Sequence, residues 1–279
     1  MFNKNYIWMK NIILVFLSIL IFASKYYTQI LPGAKETGIS NSDVALSNDV
    51  FALYNNPAGL AQLKQRSVGI YYSPSPFGLK ELANGYFAYT EPFKFGAISV
   101  GGMTYGFKLF RESRFVLGFS YKYLNKFYFG LTLNYQTVSI LNYGGSNTFF
   151  FSLGALAYLS KKVRWGFSFQ NLNRASYKNT ENQIPVIIRT GFSYDFINNL
   201  SINLAIEKDI KYNPNFHFGI DYKLIKYISL RTGFSNEPSR YSAGIGIHYS
   251  SFNLGYSIFT HQDLGLTHQF GVTVDLGKR

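Results

Sequence analysis

From Ser67 to the end of the chain, side chains alternate between two kinds. In Ser251–Thr260, Phe252, Leu254, Tyr256 and Ile258 share one parity, while Asn253, Gly255 and Ser257 share the other. The same split sets Phe127, Phe129, Leu131 and Leu133 against Gly130, Thr132 and Asn134, and Tyr241, Ala243, Ile245 and Ile247 against Ser242, Gly244, Gly246 and His248. Successive side chains of a strand point to opposite faces, so each segment has one apolar face and one small or polar face. No stretch after Lys64 carries a helical period. Fourteen such segments begin near Ser67, Ala83, Lys94, Arg114, Phe127, Thr148, Val163, Ile184, Leu200, Phe216, Tyr227, Tyr241, Phe252 and Gly265, about 15 residues apart. A tilted strand crosses a bilayer in about 9–11 residues, and single-chain bacterial barrels have even strand numbers.

The spacing of the segments gives a second signal. Odd-numbered connections are expected to run longer, at 74–82, 105–113, 140–147, 171–183, 208–215, 236–240 and 261–264. Even-numbered ones are expected to be tight, around Pro92, Asn125, Lys161, Asn198, Lys226 and Ser250. Barrels with short periplasmic turns and longer outer loops alternate in this way, which puts both termini in the periplasm. The polar parity carries Arg189, Asp195, Glu207, Asp221, Lys223, Arg231 and Asp275, and also His217 and His248. Arg or Lys facing lipid at the midplane costs about 2–4 kcal/mol, so this face is the lumen. Arg189 with Asp195, and Asp221 with Arg231, are candidate ion pairs that line a channel or pin an inserted segment. Aromatic residues make up 19% of the chain and charged residues only 15%, which excludes a disordered chain. The absence of cysteine excludes a disulfide scaffold and thiol catalysis.

The start of the chain reads as an export signal over residues 1–29. Lys4 and Lys10 precede the apolar run Ile12–Ala23, which is short for a membrane span. Removing the signal leaves a charge of about +10 of the formal +13. Export argues against nucleic acid as the partner of this basic balance and favours anionic headgroups or acidic partners. Residues 30–66 break the strand pattern. They are small and polar, with a turn signal at Asn56-Pro57-Ala58-Gly59. Such a segment ahead of the first strand can fold back as a hatch inside a lumen whose Gly and Ser residues leave it room. The predicted fold is therefore all-β: a 14-stranded antiparallel transmembrane β-barrel of the outer membrane, residues 67–279, with an N-terminal hatch in the lumen.

The run Gly33-Ala34 through Asp49 to Asn56-Pro57-Ala58-Gly59-Leu60-Ala61 resembles the N-terminal signature of the PorV/PorQ outer-membrane family, itself similar to the FadL fatty-acid transporters. Leu264-Gly265-Leu266-Thr267-His268 is similar to that family's final-strand segment. The resemblance implies a hatch carrying Asp49, Asn56, Pro57, Ala58, Gly59 and Leu60. It also implies a non-enzymatic, partner-binding barrel that meets the type IX secretion translocon or its cargo. The alternative it implies is a FadL-like passive transporter of hydrophobic small molecules. That alternative expects a gap in the wall, for which Gly101-Gly102 is the candidate bulge. Outer-membrane lipid is a partner in either case, and no cofactor is expected. No histidine pair has helical metal-site spacing. Ser242 and Ser250 near His248 make no specific nucleophile–base pattern, because every lumen strand carries serines. Lys161, Lys162 and Arg164 read as a solvated turn with headgroup contacts.

Overall fold

A computed structural model describes residues 31–177, 184–262 and 264–277. The expected export signal lies outside these residues. Fourteen strands follow in order: β1 Arg66–Ser73, β2 Asn84–Phe93, β3 Gly96–Gly106, β4 Phe110–Tyr123, β5 Phe127–Ile140, β6 Gly144–Tyr158 and β7 Val163–Gln170. They continue as β8 Ile187–Ile197, β9 Leu200–Asp209, β10 Asn215–Ile225, β11 Ile228–Asn236, β12 Ser239–Tyr249, β13 Phe252–His261 and β14 Gly265–Leu276. Each strand pairs antiparallel with its sequence neighbours, and β1 pairs with β14 from Arg66↔Leu276 to Tyr72↔Phe270, closing the barrel. Closure means that neither the first nor the last strand is a free sheet edge, as a chain in hydrocarbon requires.

The two parities separate as the pattern demands. Ile70, Phe87, Phe115, Phe129, Phe192, Leu204, Phe216, Leu254 and Phe270 all point outward and are exposed. A continuous apolar exterior of this kind is the surface of a membrane-spanning barrel, since contiguous apolar patches of that extent do not occur on soluble proteins. The alternate residues face inward and are mostly buried.

Odd-numbered connections do not all run longer. Residues 74–83, 171–186 and 210–214 do, but β3–β4, β5–β6 and β11–β12 turn over 107–109, 141–143 and 237–238. β4 and β6 begin at Phe110 and Gly144, ahead of Arg114 and Thr148 where the apolar alternation begins. Ladder hydrogen bonds need only backbone. Beyond the hydrocarbon an apolar face has no role, so a strand continues through Arg111-Glu112-Ser113 without announcing itself. β8 begins at Ile187 rather than near Ile184, beyond Pro185, which has no N–H to give a ladder. The expected bulge at Gly101-Gly102 is absent. β3 keeps one register from Asn84↔Tyr105 to Phe93↔Gly96 on β2, and from Gly96↔Tyr121 to Gly106↔Arg111 on β4. The register shifts lie elsewhere, between Asp195 and Ile197 and between Lys223 and Ile225, each beside a tight turn.

Residues 33–62 lie inside the barrel as two short helices, α1 Ala34–Gly38 and α2 Ala52–Asn55, and 3₁₀ turns at Asp43–Ala45 and Pro57–Gln62. They rest on inward glycines of the wall. A Cβ on Gly130 of β5 would stand 2.6 Å from the Pro57 carbonyl oxygen, and one on Gly154 of β6 would stand 2.9 Å from the Ala58 nitrogen. Gly101 and Gly118 leave the space that Leu53 fills, each within 2.6 Å of a would-be Cβ. Gly166, Gly219 and Gly233 do the same for Val44 and Ile39. The glycine pair of β3 thus serves packing: Gly101 admits Tyr54, whose hydroxyl lies 2.6 Å from the Phe87 carbonyl and 2.9 Å from that of Gly102.

Gly130→Val should therefore expel the Pro57 turn without opening the barrel, since overpacking costs about 1–3 kcal/mol while the β5 ladder bonds persist. Limited proteolysis should show faster cleavage within residues 33–65, and the barrel should keep its heat-modifiable migration on gels. Unchanged cleavage would show that the contact is not tight.

Candidate functional site

Asp49 and Asn56 organise the inner segment. The Phe51 N–H donates to Asp49 Oδ1 at 2.9 Å, which starts α2. Asp49 Oδ2 sits 2.7 Å from Lys35 Nζ, tying α2 to α1. Asn56 donates through Nδ2 to the Val44 carbonyl at 2.7 Å and to the Ala155 carbonyl of β6 at 3.2 Å, and its Oδ1 accepts from the Ala58 N–H at 3.2 Å. Asn56 is extended, as a residue before proline prefers, and Pro57 opens the 3₁₀ turn where its missing N–H costs nothing. Ala58 and Leu60 are fully buried. Gly59 is packed against the Ser47 carbonyl within the segment itself, not against the wall. The six residues singled out by the sequence thus stand together, on one short stretch that meets β5 and β6.

Lys35 bridges two acids, with Glu36 Oε1 at 3.1 Å on its other side. Burial, reinforced by the Asp49 charge, pushes the Glu36 carboxyl well above the usual carboxylate range. For Asp49, burial acts upward, but the Lys35 ammonium and hydrogen bonds outweigh it and hold the carboxyl low. The two carboxyls beside the single ammonium are thus driven in opposite directions.

The lumen polar residues bind this segment from the wall. Arg189 of β8 donates to the Asn41 carbonyl and reaches Asp43 Oδ1 at 3.3 Å and Glu207 Oε2 of β9 at 3.2 Å. His217 of β10 places Nδ1 2.7 Å from the Ser40 carbonyl. Asp221 and Arg231 pair at 3.2 Å between β10 and β11. The expected Arg189–Asp195 pair does not form. Six residues along one strand separate them by about 20 Å. Asp195 instead meets Arg164 of β7 at 2.5 Å. Arg164 is accordingly a buried lumen residue, while Lys161 and Lys162 are exposed in the turn. Sequence reading missed Arg164 because it sits beside two turn lysines, although its parity matches the buried Ser168 on the same strand.

His248 has a serine partner, but it is neither Ser242 nor Ser250. Its Nε2 lies 2.8 Å from Ser229 Oγ on β11, and its Nδ1 lies 2.8 Å from Asn253 Oδ1 on β13. These are nucleophile–base–orienter distances. Ser229 has no exposed surface, however, and the N–H groups beside it belong to strand ladders, which leaves no backbone oxyanion site. The trio is a cross-strand polar network on neighbouring lumen positions.

Two open features remain in the lumen. A cavity of about 930 Å³, solvent at its mouth included, lies on the side of the odd-numbered connections. Arg114, Asn134, Arg189, Glu207, Asp209 and Asn215 line it, Leu53 and Tyr54 are on its floor, and Leu31, the first described residue, also reaches it. From that floor a continuous apolar seam runs between the inner segment and β1–β4, made of Val50, Phe51, Leu53 and Leu60 against Tyr71, Tyr86, Ala88, Met103 and Val116. Tyr54, Tyr71 and Tyr86 stack edge to face along it, with centroids 5.1 and 5.7 Å apart. A smaller apolar cluster sets Ala58 and Ala61 against Tyr128 of β5 and Leu156 of β6.

No family model matches the chain, and no curated protein matches it in sequence. Solved structures match its fold. It is similar to the CymD monoaromatic hydrocarbon channel, with TM-score 0.70 and 13% identity over 91% of this chain and 100% of that one. It is also similar to a Pseudomonas aeruginosa FadL homologue, with TM-score 0.66 and 12% identity over 91% and 100%. A third is the Pseudomonas putida toluene transporter TodX, with TM-score 0.67 and 13% identity over 90% and 98%. The chain shares its fold with these barrels.

Two outcomes test the inner segment's attachment. Asn56→Ala removes bonds to Val44, Ala155 and Ala58 and should cost about 1–3 kcal/mol, read as faster proteolysis of residues 33–65. Glu36 has a raised value in the folded chain, so its contribution is complete in mild acid and is lost as pH climbs through that value. Asp49 runs the other way and loses its contribution only as pH falls through its lowered value. Protection of residues 33–65 should therefore weaken from pH 5 to pH 9, and Glu36→Gln should flatten that decline; an identical profile in the variant would assign the decline to another group.

Proposed function

We propose that the chain is a non-enzymatic outer-membrane conduit for hydrophobic small molecules, with residues 30–66 as the hatch that closes it and the tight turns and C-terminus in the periplasm. The carrying observation is the apolar seam. In a lumen lined mainly with polar groups, the larger apolar cluster among the described residues joins the cavity floor at Leu53 and Tyr54 to the interface between hatch and wall; the smaller one, Ala58 and Ala61 against Tyr128 and Leu156, holds no residue that lines the cavity. A hydrophobe leaving the cavity loses least solvation free energy along that seam, at roughly 25 cal/mol per Å² kept from water. The fold shared with channels and transporters of monoaromatic hydrocarbons supports the same reading. The partner-binding role implied by the PorV/PorQ resemblance is the lesser reading, because the turns at 107–109, 141–143 and 237–238 offer little outer surface to a translocon or cargo.

On this reading, passage requires α2 to shift from β1. Val50 Cγ1 lies 2.5 Å from where a Cβ on Gly69 would stand, and the chain has no other cysteine, so a Val50→Cys, Gly69→Cys pair can lock the two by a disulfide. Toluene influx into proteoliposomes should stop in the oxidised form and return on reduction. Equal influx in both states would overturn the seam as the route. Absence of influx from the unaltered barrel, with secreted proteins recovered in a native-membrane pull-down, would favour the partner-binding role.

A further inference from the structure

We propose that the rim formed by the tight, even-numbered turns binds anionic phospholipid headgroups. Lys94 in the β2–β3 turn, Lys126 in β4–β5, Lys161 and Lys162 in β6–β7, and Lys226 in β10–β11 are all exposed. The acids at this end of the barrel are turned inward or already engaged. Asp195 holds Arg164, Asp221 holds Arg231, and Asp275 accepts from Ser67 Oγ at 2.5 Å. Glu91 is taken by Arg66 and by the Tyr89 hydroxyl. Among the described residues, none of the five turn lysines has an ion-pair partner within 4.0 Å. The opposite rim is mixed, with Lys80, Lys108, Arg111 and Lys211 interspersed with Glu81, Glu112, Asp209 and Glu237. Among the described residues, exposed lysines without acids interspersed are a feature of the tight-turn end, whereas the other end mixes both signs.

Its placement favours a membrane over a protein. The lysines occupy four turns spread around the circumference, so no single globular face can meet them together, whereas a leaflet surrounds the barrel. They adjoin outward aromatics, the exposed Phe95, Tyr123 and Tyr227. Lys126 Nζ lies 5.6 Å from the Phe127 ring and Lys226 Nζ 5.6 Å from the Tyr227 ring. Aromatic rings collect at the depth of the membrane interface, and lysine stems carry their ammonium groups outward to the level of the phosphates. A zwitterionic headgroup offers that phosphate with a compensating cation; an anionic one offers net charge, and each lysine near it gains accordingly.

Trp165 is a built-in reporter. It lies on the outer face of β7 a few residues from Lys161 and Lys162, with Nε1 3.0 Å from Thr190 Oγ1 and its ring stacked on Phe167. The chain's other tryptophan is Trp8, inside the expected export signal, so Trp165 is the single tryptophan of the processed barrel. In vesicles mixing brominated and plain lipids, brominated phosphatidylglycerol should partition to Trp165 about twofold to fivefold more strongly than brominated phosphatidylcholine. The preference should fall to parity in Lys161→Gln, Lys162→Gln and in about 0.5 M salt, and it should survive Lys108→Gln on the other rim. Exchanging chloride for inorganic phosphate at equal ionic strength should not change it, which separates a lipid headgroup from a free phosphate. Equal quenching by both lipids, or a preference that persists in the double variant, would overturn the proposal. The outcome does not depend on what the lumen carries, because turn lysines take no part in the seam.

Discussion

The structure depends on close contact between the backbone of an inner segment and a wall from which side chains have been removed. Glycines on most of the strands stand where a Cβ would collide with residues 33–62, and Ala88 and Ala205 complete the sequence on β2 and β9. The contact serves two ends. It brings the buried carbonyls of Asn41 and Ser40 within reach of Arg189 and His217, and the Asn56 amide within reach of the Ala155 carbonyl. It also seats the large apolar side chains Phe51, Leu53 and Leu60 in a core shared with the wall.

Charge follows from that arrangement. The exterior admits no charge at hydrocarbon depth, so ionic groups can sit only in the lumen or at the rims. In the lumen they pair across neighbouring strands or reach into the inner segment, as Arg189 does toward Glu207 and Asp43. With the acids of the tight-turn end drawn inward, the lysines of that rim remain without counter-charges on the protein. The same segregation leaves the β1–β4 sector as the larger apolar part of the described interior, where Phe51 and Leu53 pack against Tyr71, Tyr86 and Met103.

What could be read from the chain tracks how local each constraint is. Strand identity and facing were legible because period two is set by neighbours in sequence; Phe127, Val163, Leu200, Phe252 and Gly265 begin strands where the alternation begins. The extensions of β4 and β6 were not, because beyond the membrane no face need be apolar. The Asp221–Arg231 pair was legible since a tight turn fixes their opposition, whereas Arg189 and Asp195 share a strand and cannot meet. Gly101-Gly102 reads in isolation as a bulge, and only the presence of Tyr54 and Leu53 makes it a packing site.

By itself, the sequence determined a fourteen-stranded barrel, its inside and outside, and a non-strand segment small enough to enter it, because alternation, turn residues and the cost of charge in lipid are local or one-dimensional constraints. Tertiary structure decided the partners: Arg164 for Asp195, Ser229 for His248, Asp43 for Arg189, and the apolar seam along β1–β4. These depend on which residues the closed register and the inserted segment bring within a few ångströms of each other, a distance that spacing along the chain does not encode.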